Sequence, residues 1–372
     1  MRPYQLCTRC VMDTTVSDIS FDKEGICNYC EEFLEKEGFI INENLIDKQT
    51  RLDNFISSIK KAGKGKKYDC IVGVSGGVDS SWVLVKAVEY GLRPLPVHMD
   101  NGWNSELAQN NISNLVNELG LDLYTHVIDW SEYRGLMQAF FEADVIDVEL
   151  LYDNAMLAVN FQQAARFGIK HILSGYNKVT EGLLMPRSWS WHKYDLQNIK
   201  SIAKRFGGIK VNTFPGIGTL GRVWYEVING KQWVSFLDYI DYNKFAAMDE
   251  LTKRFKYKPY SHKHYESIFT RFYQGFILPQ KFGIDKRRLH YSTLIISGQL
   301  SREAALNDLK GIPYQDANLL EEDILYFLKK MGWSKENLES YLRRPRVEHD
   351  VYPTERLFYE KLSKLYFKLK FN

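Results

Sequence analysis

No apolar run in the 372-residue chain approaches the roughly 20 residues of a membrane-spanning helix, so no span is expected. An excess of one charge is lacking too: 49 Lys and Arg against 46 Asp and Glu leave +3, which argues against nucleic acid as a partner. The opening residues MRPYQLC hold no signal-peptide core, and a cytoplasmic location is expected. The Walker A pattern G-x-x-x-x-G-K-[ST] does not occur. Cysteine is scarce: four of the five fall within the first thirty residues, and the fifth is Cys70. No Gly-x-Cys-x-Gly elbow is present, and residue 2 is Arg rather than Cys. Against these absences stands a length sufficient for two or more domains, with 45% apolar and 26% charged residues, ordinary for a globular chain. Aromatic content is high at 14%, with 23 Tyr, which suggests stacking surfaces or large interfaces.

The four early cysteines form two C-x-x-C pairs, Cys7 with Cys10 and Cys27 with Cys30, sixteen residues apart. That spacing is the one used by four-cysteine zinc sites, where each pair forms a knuckle and two knuckles close a tetrahedron. A disulfide pair would need an oxidising compartment, for which nothing argues. A redox C-x-x-C would open a helix after a strand, and neither pair reads that way. A closed shell of four thiolates leaves no open position, so a structural Zn2+ is expected in a ribbon of two short hairpins. Asp22-Lys23-Glu24-Gly25 supplies a turn between the knuckles.

The stretch 68–81, YDCIVGVSGGVDSS, organises the rest. A short β-branched run is followed by Ser75, Gly76, Gly77, Val78, Asp79 and Ser80, then by apolar residues at helical spacing up to Gly91. A Gly-rich turn between strand and helix presents unpaired amides and the positive end of a helix dipole to an anion. Ser75 and Ser80 add hydroxyls, and Asp79 can hold Mg2+ against phosphate oxygens. Beyond it the pattern alternates: strands at 93–99, 123–128 and 170–174, helices at 105–119, 130–143 and 153–167. This predicts a doubly wound parallel α/β sheet. Ligands of such sheets sit outside the carboxyl ends of strands, which selects loops 75–80, 100–104 and 175–181. In the last, Gly175 lies at the strand end, Glu181 is a candidate second Mg2+ ligand, and Lys178 could offset phosphate charge. After Gly182 the sheet pattern fades, and 224–242 is aromatic and unplaced. Lys286, first of three consecutive cations, is a candidate catalytic cation, with a solvated helix face as the plainer reading. The expected division is a zinc ribbon at 1–40, a helical connector and basic linker at 41–67, the nucleotide core at 68–190, a substrate and partner region at 191–300, and C-terminal helices at 301–372.

The hexapeptide SGGVDS resembles the pyrophosphate loop (PP-loop) of the adenylating ATP pyrophosphatases, which include GMP, NAD, asparagine and argininosuccinate synthetases and the tRNA thiolation enzymes. The resemblance implies an adenine nucleotide alpha-hydrolase-like fold and a site for ATP with Mg2+. It also implies that Val97, His98, Met99 and Asp100, at the second strand's end, meet adenine and ribose; the His98 side chain reads equally as a hydrogen-bonded strand-end histidine. More widely, the C-x-x-C pair, SGGVDSS, DNGWNSE, GYNKVTEG, KHYESIFTRFYQ and KFGIDKRRLHYSTLIISGQLSREAA resemble the N-acetyl sugar amidotransferases of surface-polysaccharide (LPS O-antigen or nonulosonic acid) synthesis. One departure is Tyr176, where that family is expected to carry Glu.

That resemblance implies ATP-dependent conversion of an acetamido group on a nucleotide-linked N-acetyl sugar to an acetamidino group, using ammonia. With four cysteines assigned to zinc and Cys70 in a buried strand, the chain has no glutaminase nucleophile of its own. A separate glutaminase subunit is therefore expected, with a cyclase-like barrel protein as in related systems, and 187–242 is the surface expected to meet it. Two other readings stay open: a tRNA-thiolation-type PP-loop enzyme, against which the weak net charge and lack of spare cysteines argue, and a nucleotide-binding protein without catalysis, against which Asp79, Ser80 and Glu181 argue.

Overall fold

Five short strands form one parallel sheet: β1 (Cys70–Gly73), β2 (Pro94–Asp100), β3 (Tyr124–Val127), β4 (His171–Ser174) and β5 (Gln232–Ser235), in the order β3-β2-β1-β4-β5. The computed structural model describes residues 3–208, 210–260 and 265–371, the side chains of 365–371 excepted; Lys263 and His264, which open the stretch KHYESIFTRFYQ, lie outside them. Strand residues alternate between two cores, as a period of two requires. Cys70 and Val72 enter one core and Ile71 the other, and Leu173 and Ile172 divide in the same way. Helix α1 (Asn28–Asn42) and α2 (Leu45–Ala62) make the connector after the ribbon. Crossovers are α3 (Val78–Glu89), α4 (Glu106–Glu118), α5 (Trp130–Glu142) and α6 (Leu150–Arg166); α3 packs in one core and α6 in the other, so the sheet is doubly wound.

After β4 a single turn, α7 (Lys178–Glu181), is followed by α8 (Leu196–Ile202), α9 (Thr219–Val223) and, beyond β5, α10 (Lys244–Phe255). The C-terminal region is helical: α11 (Ile268–Phe272), α12 (Arg287–Ile296), α13 (Arg302–Leu309), α14 (Ala317–Met331), α15 (Lys335–Arg343) and α16 (Arg356–Phe371). The expected fading of the sheet after Gly182 is corrected here. β5 pairs with β4 in parallel register, His171 beside Gln232 and Ser174 beside Ser235, so the sheet draws on the unplaced aromatic segment. The four-residue run QWVS at a sheet edge is too short and too exposed to show alternation. In the segment expected to meet a partner, Trp189, Trp191, Phe214 and Ile217 are core, while Leu220, Trp224, Val227 and Ile228 are exposed.

Candidate active site and zinc centre

The strand order reverses direction between β1 and β4, and there the loops that follow both strands meet. Loop 75–80 leaves β1 with Val74 N–H bonded to the Val97 carbonyl at 2.9 Å. Gly76 takes φ +83°, and a Cβ there would lie 2.8 Å from the Ala108 carbonyl oxygen, so glycine is required twice over. The Ser75 and Ser80 hydroxyls lie 3.3 Å apart, and the Ser75 and Gly77 amides donate to Ser80 Oγ and Ser75 Oγ at 3.3 Å. Gly175 approaches from the β4 side: its Cβ would sit 2.8 Å from the Ser80 nitrogen. The turn therefore sets glycine backbone and two hydroxyls at the N-terminus of α3, the setting in which helix ends receive anions.

Loop 75–80 opens on a cavity of about 570 Å³, a volume suited to a small molecule. Asp79, in the first turn of α3, and Glu181, the last residue of α7, both line it. The Tyr242 phenol donates to Asp79 Oδ1, and burial followed by the Asp79 and Glu181 charges pushes that phenol well up, so it stays a donor. Asn177 caps α7 by accepting from Thr180 N–H at 2.9 Å and donates to the Gly175 carbonyl at 3.1 Å, which fixes Glu181 relative to the loop.

Of the four residues at the end of β2, Val97 and Met99 line the cavity. His98 and Asp100 are not among its lining residues: alternation turns His98 away, where Nδ1 bonds the Val74 carbonyl at 2.9 Å and Nε2 meets Asn104 Nδ2 at 3.0 Å. Burial holds His98 below the usual histidine range, as the plainer reading of this residue expects. Asp100 accepts from Gly102 N–H at 2.8 Å and so shapes the turn. Lys178 does not face phosphate space either, because its Nζ pairs with Glu37 Oε1 at 2.7 Å.

The cations 286–288 are engaged with carboxylates. Lys286 lines the cavity and pairs with Glu149 at 2.8 Å, which Gln274 also holds at 2.9 and 3.0 Å. Arg287 pairs with Asp285 at 2.8 Å and donates to the Gly311 carbonyl at 2.9 Å, and Arg288 pairs with Asp13 at 3.0 Å. Beside Lys286 lies a part-buried network in which Lys193 bridges the buried Asp147 at 2.7 Å and the half-buried Asp153 at 2.8 Å. Burial pushes the cavity-lining Asp153 carboxyl up, whereas burial of Asp147 is outweighed by Lys193 and Lys286, which hold it low.

Sequence reasoning missed Tyr242, Asp153 and Glu266 at this site. Glu266 Oε1 accepts from Ser75 Oγ at 3.3 Å and lines the same cavity. A signal existed for α6, where Asp153, Asn154 and Asn160 interrupt an otherwise apolar helix. Glu266 lies in KHYESIFTRFYQ, a stretch singled out by resemblance without a role for this residue, and Tyr242 had no signal; they reach the loop from 191 and 163 residues away.

The four early cysteines converge with all their sulfurs within 4.8 Å of one another, every side chain buried. Cys7–Cys30, Cys10–Cys27 and Cys27–Cys30 stand at 3.9, 3.7 and 3.6 Å. A tetrahedral Zn2+ with Zn–S near 2.3 Å puts its sulfurs about 3.8 Å apart, so the set fits zinc and is too open for disulfides. Each knuckle hangs on one antiparallel bridge, Leu6 with Asp13 and Phe21 with Cys27. Contrary to the expectation that neither pair opens a helix, Cys27 precedes α1 and Cys30 lies in its first turn. Cys27 N–H points at Cys7 Sγ at 3.3 Å, a contact that favours thiolate ligation.

Fold and site together define a parallel α/β protein with a Gly-rich strand-to-helix loop and a cavity at the switch point of its sheet. A family model described as "LPS biosynthesis protein WbpG-like, C-terminal domain" matches residues 266–366, which begin at Glu266 and run through α16's first turns. No curated protein matches the chain. Among solved structures it is similar to NMN synthetase from Francisella tularensis, at 14% identity and TM-score 0.30, over 59% of this chain and 98% of that one. It is also similar to the NH3-dependent NAD synthetase from Campylobacter jejuni subsp. jejuni NCTC 11168 in complex with the nitrate ion, at 15% identity and TM-score 0.29, over 56% and 93% of the two chains. A third is the glutamine-dependent NAD+ synthetase from Acinetobacter baumannii in complex with ADP, at 15% identity and TM-score 0.34, over 70% of this chain and 43% of that one.

Proposed function

We propose that the chain is an ATP-dependent, AMP- and pyrophosphate-forming ligase that turns the acetamido group of a nucleotide-linked N-acetyl sugar into an acetamidino group for surface-glycan synthesis. The observation that carries this reading is the Gly-Gly loop 75–80 at the N-terminus of α3, which with its own Asp79 and with Glu181 lines a cavity of about 570 Å³. The family description of residues 266–366 supports the glycan context, and the SGGVDS resemblance supports adenylation.

An amide oxygen is a poor leaving group and must be activated before nitrogen adds. In the proposed reaction the amide oxygen attacks the α-phosphorus of ATP and pyrophosphate departs. Ammonia then adds to the imidate carbon, and the original oxygen leaves with AMP. Loop amides and the Ser75 and Ser80 hydroxyls hold the departing pyrophosphate, and Val97, Met99 and Gly175 border the nucleoside. The carboxylates of Asp79 and Glu181 fit a hard cation, and Mg2+ bound there supplies charge neutralisation to the phosphates. Lys286, held by Glu149 at 2.8 Å, orients at the cavity wall toward the sugar substrate. Burial pushes the Cys70 thiol up, leaving it a poor nucleophile, so ammonia comes from a glutaminase partner.

The test is incubation of the purified chain with ATP, ammonium and a panel of UDP-N-acetyl sugars. AMP release that depends on one sugar is expected, with glutamine inactive until a glutaminase is added. ADP as product, or AMP release indifferent to every sugar, would overturn the reading.

A further inference from the structure

We propose that Tyr242 is a positioning residue for Asp79 at loop 75–80, and that Gln299 clamps Tyr242 in that role. The inference rests on reading the loop as a nucleotide site. The Tyr242 phenol donates to Asp79 Oδ1. Tyr242 is buried in the core that also holds Val78 and Trp82 of α3, and it is not among the residues lining the cavity, whereas Asp79 is. A nucleotide in the cavity therefore meets Asp79 and not the phenol, so the effect of Tyr242 on it passes through the carboxylate. Burial pushes the phenol well up, and it remains a donor across the neutral range. Supporting hydrogen bonds of this kind set how well a carboxylate is aimed at what it binds.

One side chain grips the backbone around Tyr242. Gln299 Nε2 donates to the Tyr242 carbonyl at 3.2 Å, and Gln299 Oε1 accepts from Lys244 N–H at 3.0 Å, so a single carboxamide holds both sides of Asn243. Asn243 caps α10, accepting from Phe245 and Ala246 N–H at 3.1 and 3.0 Å. Gln299 is fixed in turn by the end of α12. Gly298 takes φ +73° there, and Gln299 N–H bonds the Leu294 carbonyl at 2.8 Å. Leu294 and Leu300 on either side of this corner line the cavity. Gln299 also lies in KFGIDKRRLHYSTLIISGQLSREAA, and the proposed reaction gives it no role of its own. The C-terminal region thus reaches loop 75–80 through Gln299, Tyr242 and Asp79, contacts that span 57 and 163 residues of sequence.

The experiment is a double-mutant cycle on the full chain, reading the affinity for fluorescent methylanthraniloyl-ATP in saturating Mg2+ together with the thermal midpoint. Y242F is expected to weaken binding about tenfold in the wild-type background and to leave D79N unchanged, because the charge that the phenol aims is then gone. Q299A is expected to weaken binding about threefold or more, again only where Asp79 is present. A phenol that merely supports the fold predicts the same loss in both backgrounds, in step with the thermal midpoint, and that result overturns the inference. Unchanged affinity in Y242F overturns it as well; if that variant fails to fold, unchanged affinity in Q299A does so. Absence of nucleotide binding by the wild type would instead sink the nucleotide-site reading.

Discussion

Asp79 shows how one side chain can be exposed to chemistry yet marginal to the fold. It sits in the first turn of α3, where a carboxylate favours the helix dipole, and its Oδ1 accepts the Tyr242 phenol. Asp79→Asn keeps the shape and removes the charge. AMP formation is expected to fall by about a hundredfold or more, while the thermal midpoint hardly moves. Retention of more than about a tenth of the wild-type rate would exclude Asp79 as a cation ligand. Gly175→Ala tests the close approach of the two loops. The new methyl would stand 2.8 Å from Ser80 N and 3.1 Å from the Asp79 carbonyl carbon, backbone atoms that cannot rotate aside. Nucleotide affinity is expected to drop about tenfold or more, read by titration with labelled ATP; an unchanged affinity would mean that the loops separate freely. At this scale the site was legible where it is local. Ser75, Gly76, Gly77 and Asp79 lie within a few positions of one another, and Glu181 follows a strand end. The placement of Tyr242 and Glu266 at the loop was illegible because tertiary pairing alone brings them there, although Glu266 lies in a stretch singled out by resemblance.

The four-cysteine ribbon connects two walls of the cavity. Arg302 of α13 donates to the Cys7 and Cys10 carbonyls at 2.8 and 3.0 Å, and Ser292 of α12 accepts from Val11 N–H at 3.2 Å. From the second knuckle, α1 reaches α7 through the Glu37–Lys178 pair and the Phe33 ring, which fills the space a Cβ on Gly182 would need. Leu183 N–H meets Thr293 Oγ1 at 3.3 Å, joining α7 to α12. Zinc removal by a chelator, or Cys27→Ser, is expected to raise amide exchange in α7, α12 and α13 as well as in residues 1–40, with β1 and β4 unaffected. Exchange confined to residues 1–40 would show that the ribbon is a separate appendage. The elements themselves were mostly legible. Ser105 and Ser301 cap α4 and α13 as polar residues before apolar periodicity should. The start of α6 was read three residues late, at Asp153 rather than Leu150, because Glu149 caps it without a side-chain hydrogen bond. β5 escaped because it is short, edge-placed and preceded by the wide helical turn Trp224–Ile228.

Across the whole molecule, buried histidines couple stability to pH. Burial pushes His171 and His349 down to about 4, and His349 is held neutral between Asn198 and the Asp147 amide while stacked on Trp191. An unfolded histidine titrates near 6.5, so between about 6.5 and 4 the unfolded chain binds protons that the folded chain does not. Stability from this source is fully present above that window and is lost as pH falls through it, by a few kcal/mol for the pair. Urea midpoints measured in zinc-containing buffer should fall between pH 7 and pH 5, and a flat response would contradict the burial of these rings. The same molecule-wide packing brings β1, β4, α7, α10 and the segment after residue 265 around one cavity, and the central claim concerns what that cavity does. The most direct measurement follows oxygen. A nucleotide-linked N-acetyl sugar carrying ¹⁸O in its acetamido group is incubated with the chain, ATP, Mg2+ and ammonium, and the products are read by mass spectrometry. Activation of the amide oxygen predicts that the label leaves the sugar and appears in the phosphate of AMP, in step with acetamidino product. Label retained in the sugar while AMP accumulates would contradict the account.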